Sequence, residues 1–357
     1  MKKLFLVSII TLLTSTLFSQ VDFQKGSLAD MFLKAKEENK ILMVDVMTDW
    51  CKWCIELDNK VYARPEMYEF ANKNQVNYKI DAEKGEGVDF AKKYQVKGFP
   101  TVLFLNADGS EIDRIYGYVQ LKEFVETMKD YNKGVNTISY LNEKLKNTPD
   151  DVNLNLKMAD KLSMFGDMDG AKKLLFKILE LDPQNASGKI PEVKFDIASM
   201  SDKEHIVKNL QDFIDGYPGS DKVKDAYITL AEYYYYNLKD KNNADKYYNQ
   251  VLMMFGNDES VKSSYGQYLN AIAVTIATDS TKSESDYKQA LSIVDDALPY
   301  VKGSVNEASS YYIQAKLLYN IKDYSNASAS IEKALKIFDR KLYRDLKEKI
   351  DKEMSAK

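Results

Sequence analysis

Residues 41–54 read ILMVDVMTDWCKWC and decide how the first part of the chain folds. Residues 41–46 form a nearly continuous apolar run, which is typical of a strand covered on both faces. One carboxylate, Asp45, interrupts that run. A helix is predicted to open at Cys51, and residues 50–54 contain both cysteines and both tryptophans of the chain. The sequence therefore predicts a buried strand followed by a paired-cysteine segment at a helix start.

The sequence around this stretch alternates between helix and strand signals. Ser27 can cap a helix with one apolar face, and residues 106–110 (NADGS) are typical of a hairpin turn. The other predicted elements are strands at 76–80, 101–105 and 111–116 and helices at 87–94 and 120–131. The order is β-α-β-α and then β-β-α, which predicts an α/β fold with a mixed sheet and helices on both faces.

The two cysteines are separated by two residues and can close a small disulfide ring. At a helix start, unpaired backbone N–H groups and the helix dipole favour a thiolate at Cys51, so its pKa should lie below that of a free thiol. Lys52 adds positive charge in the same sense. A thiolate can attack a partner disulfide, and a second thiol at Cys54 can then resolve the mixed disulfide.

Two further residues agree with this chemistry. Asp45 is expensive to bury without a role, and a buried carboxyl of raised pKa could accept a proton from Cys54. Pro100 follows Phe99 directly before a predicted strand, which makes it a candidate for a cis peptide bond. Such a bond would expose the backbone of Phe99 for pairing with an extended substrate. An edge-strand position for Asp45 and a trans Pro100 are the alternatives.

With these motifs, residues 21–131 resemble the thioredoxin fold, in particular the soluble thiol-reducing domains of bacterial envelope proteins. The resemblance implies that Cys51 is the nucleophile and Cys54 the resolving thiol. It also implies that Asp45 is the buried acid/base and that Pro100 is the cis-proline that faces the cysteines. The substrate-binding residues it implies are Trp50, Lys52, Trp53, Phe99 and Thr101, although Trp53 could equally pack on its own helix. No cofactor is expected beyond the redox-active disulfide Cys51–Cys54.

The sequence departs from the thioredoxin pattern at two places. Lys52 and Trp53 stand between the cysteines where thioredoxin has Gly-Pro, so the reduction potential does not carry over. Counting back four residues from Asp81 gives Asn77 where thioredoxin has a lysine near its buried acid. We therefore expect Asp45 to lack that cationic partner and to be harder to ionise.

From about residue 149 the strand signals end and helix follows helix. Ala159, Ala171 and Pro183 are 12 residues apart, and Ala315 and Ala327 repeat that spacing. This pattern resembles the tetratricopeptide repeat, a helical hairpin whose small residues let two helices approach closely. The match is good for 152–185 and 308–341 and looser near residues 231–244 and 271–290. Four or five hairpins are predicted, with a helical array lacking true repeat geometry as the alternative.

The start of the chain is predicted to be an export signal. Lys2 and Lys3 precede an apolar stretch at 4–18 that is shorter than the roughly 20 residues of a bilayer span. The predicted domains are a signal peptide at 1–20, a thioredoxin-like domain at 21–135 and a helical-repeat domain at 136–357. The mature chain is expected in the periplasm or another extracytoplasmic part of the envelope, without a transmembrane segment. The alternative is an uncleaved anchor helix.

Charge and composition narrow the functional classes. The net charge is −4 without a clustered basic region, so no nucleic-acid partner is expected. One histidine, His205, and two cysteines cannot assemble a four-ligand zinc site, so no metal is expected.

These observations favour an exported thiol–disulfide oxidoreductase that acts as a reductase, with protein thiols and disulfides as its substrates. A second thiol–disulfide partner would recycle the cysteines, and the repeat face could bind a peptide or protein. One alternative is a repeat-based scaffold with a non-catalytic redox domain. The other is an oxidase or isomerase of exported proteins.

Overall fold

The structure is a computed structural model that describes residues 20–355. Most of the predicted signal segment, residues 1–19, lies outside the described residues. No helix in the described range is both long and apolar enough to cross a bilayer.

The first part of the described chain mixes strands and helices, as predicted. Ser27 caps the first helix, and its hydroxyl accepts a hydrogen bond from the Asp30 N–H. The strands are β1 (Ile41–Met47), β2 (Gln75–Asp81), β3 (Thr101–Leu105) and β4 (Glu111–Tyr116). The helices are α1 (Leu28–Glu37), α2 (Lys52–Leu57), α3 (Pro65–Asn74), α4 (Glu86–Lys93) and α5 (Leu121–Asn132).

The four strands form one mixed sheet in the order β2-β1-β3-β4. β1 runs parallel to β2 and antiparallel to β3, and β3 and β4 form the predicted hairpin. In this register Asp45 lies opposite Lys79 on β2, and the neighbouring Val46 lies opposite Thr101 on β3. β1 is therefore a central strand, not an edge strand, which explains why its sequence is nearly all apolar.

Helices cover both faces of the sheet, which confirms the predicted layering. On one face, Met43 and Phe104 pack against residues of α3 and α5, such as Met67 and Phe124. On the other face, Leu42 and Leu103 pack with residues of α1 and α4. The alternation of strand side chains thus divides the buried apolar residues into two cores.

Two helical segments of this region were not among the predicted elements. A π-helical turn, Asp58–Tyr62, follows α2, and α3 then starts at Pro65. Proline fits the first turn of a helix because its missing N–H would have no partner there. α3 contributes Met67 and Ala71 to the core, in a segment where the sequence predicted neither a helix nor a strand.

The described chain from Ile138 onward is helical throughout, which confirms the predicted all-α region. Its helices are α6 (Ile138–Asn147), α7 (Val152–Phe165), α8 (Met168–Leu181), α9 (Ile190–Ser199), α10 (Ile206–Gly216), α11 (Val223–Tyr236), α12 (Lys241–Phe255), α13 (Glu259–Thr278), α14 (Glu284–Val301), α15 (Val305–Asn320), α16 (Tyr324–Ile337) and α17 (Lys341–Ser355). We call this region the helical array.

Small residues hold the helices of the array together. Ala171, Ala244, Ala290 and Ala327 are all fully buried, each on the second helix of a consecutive pair. An alanine at such a position lets two backbones approach, because it presents only a methyl group to the neighbouring helix. The two segments that matched the repeat spacing best correspond to α7–α8 and α15–α16.

The chain divides into two compact units whose boundary does not follow the sequence order. The first contains the described residues up to Met47 together with Leu57–Asn132, and hence the whole sheet. The second contains Thr48–Glu56 together with the chain from Lys133 onward. The segment that carries both cysteines therefore belongs to the same compact unit as the helical array.

Candidate active site

The cysteines lie at the start of α2. Cys51 directly precedes the helix, and its sulfur is bonded to that of Cys54 at 2.10 Å. The Cys54 N–H donates to the Cys51 sulfur at 3.1 Å. In the reduced protein, a donor at this position favours a thiolate at Cys51 over a thiol.

The two sulfur-bearing residues are well covered. Cys51 is 5% exposed and Cys54 1%, whereas the preceding Trp50 is 50% exposed. Cys51 is thus the more accessible of the pair, as a nucleophile must be, but it offers little surface to an incoming disulfide.

Residues of the helical array hold the segment around the cysteines. The Lys52 ammonium donates to the side-chain oxygens of Gln267 at 3.0 Å and Asn306 at 2.8 Å. The buried Glu56 carboxylate accepts from the Val305 N–H at 2.8 Å, at the first residue of α15. A carboxylate there is favoured by the unpaired N–H groups and the dipole of the helix.

These contacts place the Lys52 side chain among residues of the array, which the sequence did not predict. Its ammonium lies 5.4 Å from the Trp53 ring centre and is bonded to the array amides. Burial lowers the pKa of Lys52, and the positive charge of Arg340 adds to that effect. Sequence analysis missed Glu56, Gln267 and Asn306, since no local pattern links residues more than 200 positions apart.

Asp45 is fully buried in β1, which excludes the solvent-facing alternative. Burial raises its pKa to about 6, while the Lys79 ammonium opposes that rise and the Asp58 carboxylate adds to it. A carboxyl with a pKa near neutrality can both accept and return a proton under physiological conditions.

The expectation that Asp45 lacks a cationic partner is wrong. The Lys79 ammonium lies 3.2 Å from the Asp45 carboxylate and also pairs with Asp58. Asn77 does occupy the counted position, but the parallel register places Lys79 opposite Asp45. Burial lowers the pKa of Lys79, yet the two carboxylates outweigh burial and leave that pKa raised. The lysine was missed because its position depends on strand pairing rather than on spacing from Asp81.

The Phe99–Pro100 peptide bond is cis, as the sequence predicted. Thr101 is fully buried at the start of β3, and its hydroxyl donates to the Gly98 carbonyl at 2.8 Å. A Cβ at Gly98 would lie 2.3 Å from the Tyr116 hydroxyl, so a side chain there would require the exposed Tyr116 ring to move. Phe99 is half-buried.

The predicted site residues thus fall into two groups, each within one compact unit. Asp45 and Thr101 lie on the paired strands β1 and β3 of the first unit, with Pro100 and Phe99 directly before β3. Trp50, Cys51, Lys52, Trp53 and Cys54 form the second group. His205 is exposed beside Asp202 and belongs to neither group.

Comparisons with known proteins agree with the fold. Residues 28–132 match the family model of the thioredoxin-like domain, and residues 225–258 and 308–339 match that of the tetratricopeptide repeat. The chain therefore carries a thioredoxin-like domain followed by tetratricopeptide repeats.

The relatives of the first domain are thiol-exchange proteins. Over 101 residues the chain is 32% identical to the thiol:disulfide interchange protein DsbD of Klebsiella pneumoniae, a match that covers 27% of this chain and 17% of that protein. It is 25% identical over 104 residues to the disulfide bond reductase DsbH of Chlamydia pneumoniae, covering 26% and 63%. The crystal structure of the oxidised C-terminal domain of DsbD from Neisseria meningitidis is 26% identical and covers 29% of this chain and 90% of that one, with a TM-score of 0.26.

Proposed function

We propose that the chain is an exported thiol–disulfide oxidoreductase that reduces protein disulfides through Cys51 and Cys54. The observation that carries the proposal is the pair itself. The two cysteines of the chain are joined at a helix start, with the Cys54 N–H on the Cys51 sulfur, inside a thioredoxin-like domain. The related interchange protein and reductase support the reaction class.

In the reducing direction, the Cys51 thiolate attacks one sulfur of a client disulfide and expels the other as a thiolate. Cys54 then loses its proton and attacks the Cys51 sulfur. This attack forms the Cys51–Cys54 bond and releases the second client sulfur. Two electrons pass from the dithiol to the client, so another dithiol or thiol must return two electrons. No other redox group is required for this cycle.

The family resemblance assigns the proton from Cys54 to Asp45, and a pKa of about 6 suits that task. A carboxyl that takes this proton favours release of the reduced product. The preference for reduction over oxidation rests on this assignment.

Export is the second part of the proposal, and its support is the basic start and apolar stretch of residues 1–18. The tetratricopeptide repeats would bind the client or a partner protein, since such repeats offer extended curved surfaces.

The decisive test uses Cys51→Ser and Cys54→Ala with pre-reduced protein and insulin as the disulfide. Cys51→Ser should abolish reduction, because the remaining sulfur is the less accessible one. Cys54→Ala should instead form one equivalent of a stable mixed disulfide per protein. Reduction by Cys51→Ser at the wild-type rate would contradict the nucleophile assignment.

One observation favours the scaffold alternative: both cysteines are almost fully covered, and the array holds their segment. In that case the Cys51 thiol should titrate like free cysteine and exchange slowly with glutathione. A lowered thiol pKa together with rapid exchange would exclude the scaffold reading.

A further inference from the structure

A cavity of about 290 Å³ opens beside Lys52 within the second compact unit. We call it the Lys52–Arg340 cavity, after the two cations that line it. Lys52, which lies between Cys51 and Trp53 in the chain, is the one residue of the cysteine segment that lines the cavity in the described part of the chain. The other walls come from the array and carry amide, hydroxyl and aromatic side chains: Asn270, Asn306, Ser309, Tyr236, Tyr312 and Tyr343.

Lys52 and Arg340 give the cavity a net positive charge. Among the described residues that line it none is acidic, and neither Lys52 nor Arg340 pairs with a carboxylate in the described part of the chain. Elsewhere in the array, lysines have carboxylate partners, such as Lys224 with Asp258 and Lys241 with Asp245, both at 2.6 Å. Burial lowers the pKa of Lys52, and the positive charge of Arg340 adds to that effect, as expected where two cations line one cavity.

Hydrogen bonds and a ring contact position the groups around the cavity. Gln267 and Asn306 fix the Lys52 ammonium, and the Asn270 and Ser310 side chains hydrogen-bond to each other at 2.7 and 3.0 Å. The Arg340 guanidinium lies 5.3 Å from the Tyr343 ring centre. Two cations line a cavity whose surface is otherwise largely apolar, and an anion bound between them would relieve their repulsion.

The size and position of the cavity restrict which anion it can bind. The volume is near the lower end of ligand pockets, about 300 Å³, so it accepts one or two side chains and not a folded domain. Because Lys52 follows Cys51 directly in the chain, we expect the occupant of the cavity to belong to the part of the substrate near its disulfide. The narrow access to the sulfurs also favours an extended segment over a folded surface.

We propose that the Lys52–Arg340 cavity binds a carboxylate side chain that neighbours the disulfide of an extended peptide substrate. This inference rests on the proposed function and names the substrate class of the same site. Acidic disulfide segments are then preferred over neutral ones, and Arg340 is a specificity-determining residue that lies outside the thioredoxin-like domain.

The test compares two disulfide peptides that are identical except for glutamate or glutamine beside the cysteines. Wild-type protein should reduce the glutamate peptide with a kcat/KM about tenfold higher, the effect of one charge-assisted contact, and added salt should diminish that preference. Arg340→Gln should remove most of the preference, and Arg340→Lys, which keeps the charge, should retain part of it. The matched control is Arg344→Gln. Its arginine pairs with Asp339 at 2.6 Å and does not line the cavity.

A second measurement does not depend on turnover. Glutamate and glutamine peptides with serine in place of cysteine are titrated into the full chain, and binding is followed by the fluorescence of Trp50 and Trp53. Tighter binding of the glutamate peptide that Arg340→Gln weakens, with Arg344→Gln as wild type, supports the subsite even if the chain reduces nothing. Equal affinities for the two peptides, or equal reduction rates in the wild type, overturn the subsite and leave the outcome of the Cys51→Ser test untouched.

Discussion

Asp45 in the sheet and Asn155 in the helical array are both buried polar residues, 0% and 1% exposed, but they are satisfied differently. The Asn155 amide donates to two backbone carbonyls, those of Pro149 at 2.8 Å and Asp151 at 2.7 Å. Asp45 depends on the Lys79 ammonium at 3.2 Å, and no well-aligned hydrogen bond to its oxygens occurs among the described residues.

The difference fits a structural role for Asn155 and the acid/base role proposed for Asp45. A hydrogen-bonded amide recovers the cost of leaving water and stabilises the array. A buried carboxyl without full hydrogen bonding does not recover the cost of leaving water, and its pKa is raised as a result. A raised pKa is typical of groups that transfer protons. Three predictions test this contrast.

The largest effect is expected on resolution of the mixed disulfide. Asp45→Asn should slow this step about a hundredfold, because a positioned acid/base commonly contributes that much and an amide cannot take the Cys54 proton. The fraction of protein trapped as mixed disulfide, measured by acid quench and mass spectrometry, should rise.

Asp113→Asn is the matched control for that variant, because Asp113 is another buried carboxyl of the same sheet and hydrogen-bonds to the Arg114 N–H at 2.7 Å. It should leave resolution unchanged. Unaltered turnover in Asp45→Asn would remove Asp45 from the mechanism and align it with Asn155 as a structural group.

A smaller effect is expected on the pH dependence of stability. The folded-state pKa of Asp45 is about 6, above the ordinary value of 3.8, so its stabilising contribution is complete below about pH 4 and is lost as pH rises through 6. The loss is on the order of 3 kcal/mol. Asp45→Asn does not have this pH-dependent loss. Its stability should therefore rise relative to that of the wild type between pH 4.5 and 7.5.

Urea unfolding followed by far-UV circular dichroism at several pH values measures this difference. The relevant quantity is the wild-type value minus the Asp45→Asn value, since groups distant from Asp45 titrate equally in both proteins. If the stability of the two proteins depended on pH in the same way, the sheet would not shift the pKa of Asp45.

The smallest effect is expected in the array. Asn155→Ala removes two side-chain hydrogen bonds and should lower the free energy of unfolding by about 1–2 kcal/mol. Thiol exchange with a small disulfide should not change. The exposed Asn147, whose amide donates to the Glu143 carbonyl at 3.3 Å, is the control, and Asn147→Ala should cost under about 0.5 kcal/mol. Equal losses in the two variants would contradict the structural role of Asn155.

Much of the fold could be predicted because its signals are local. The cysteine pair, the carboxylate in an apolar run, and the proline before a strand are recognisable from short spacings. The helical array was predictable from its helical pattern and its repeated alanines. The helix α3 was missed because the sequence analysis did not treat Pro65 as a helix start.

The site was predicted less completely than the fold. Asp45 was found, but its partner Lys79 was not, since a one-residue change of register would place another side chain opposite it. The contacts of Lys52 with Gln267 and Asn306 and of Glu56 with Val305 had no sequence signal at all.

The sequence by itself determined the redox chemistry available to this chain, its sheet and helix segments and its repeats, because hydrophobic period and motif spacing act over a few residues. Only the tertiary structure decided which charges surround that chemistry. It paired Lys79 with Asp45 across two strands, and it grouped the cysteine segment with the array beside Arg340. Electrostatic interactions depend on distance in space, and residues distant in the chain become neighbours only when the chain packs.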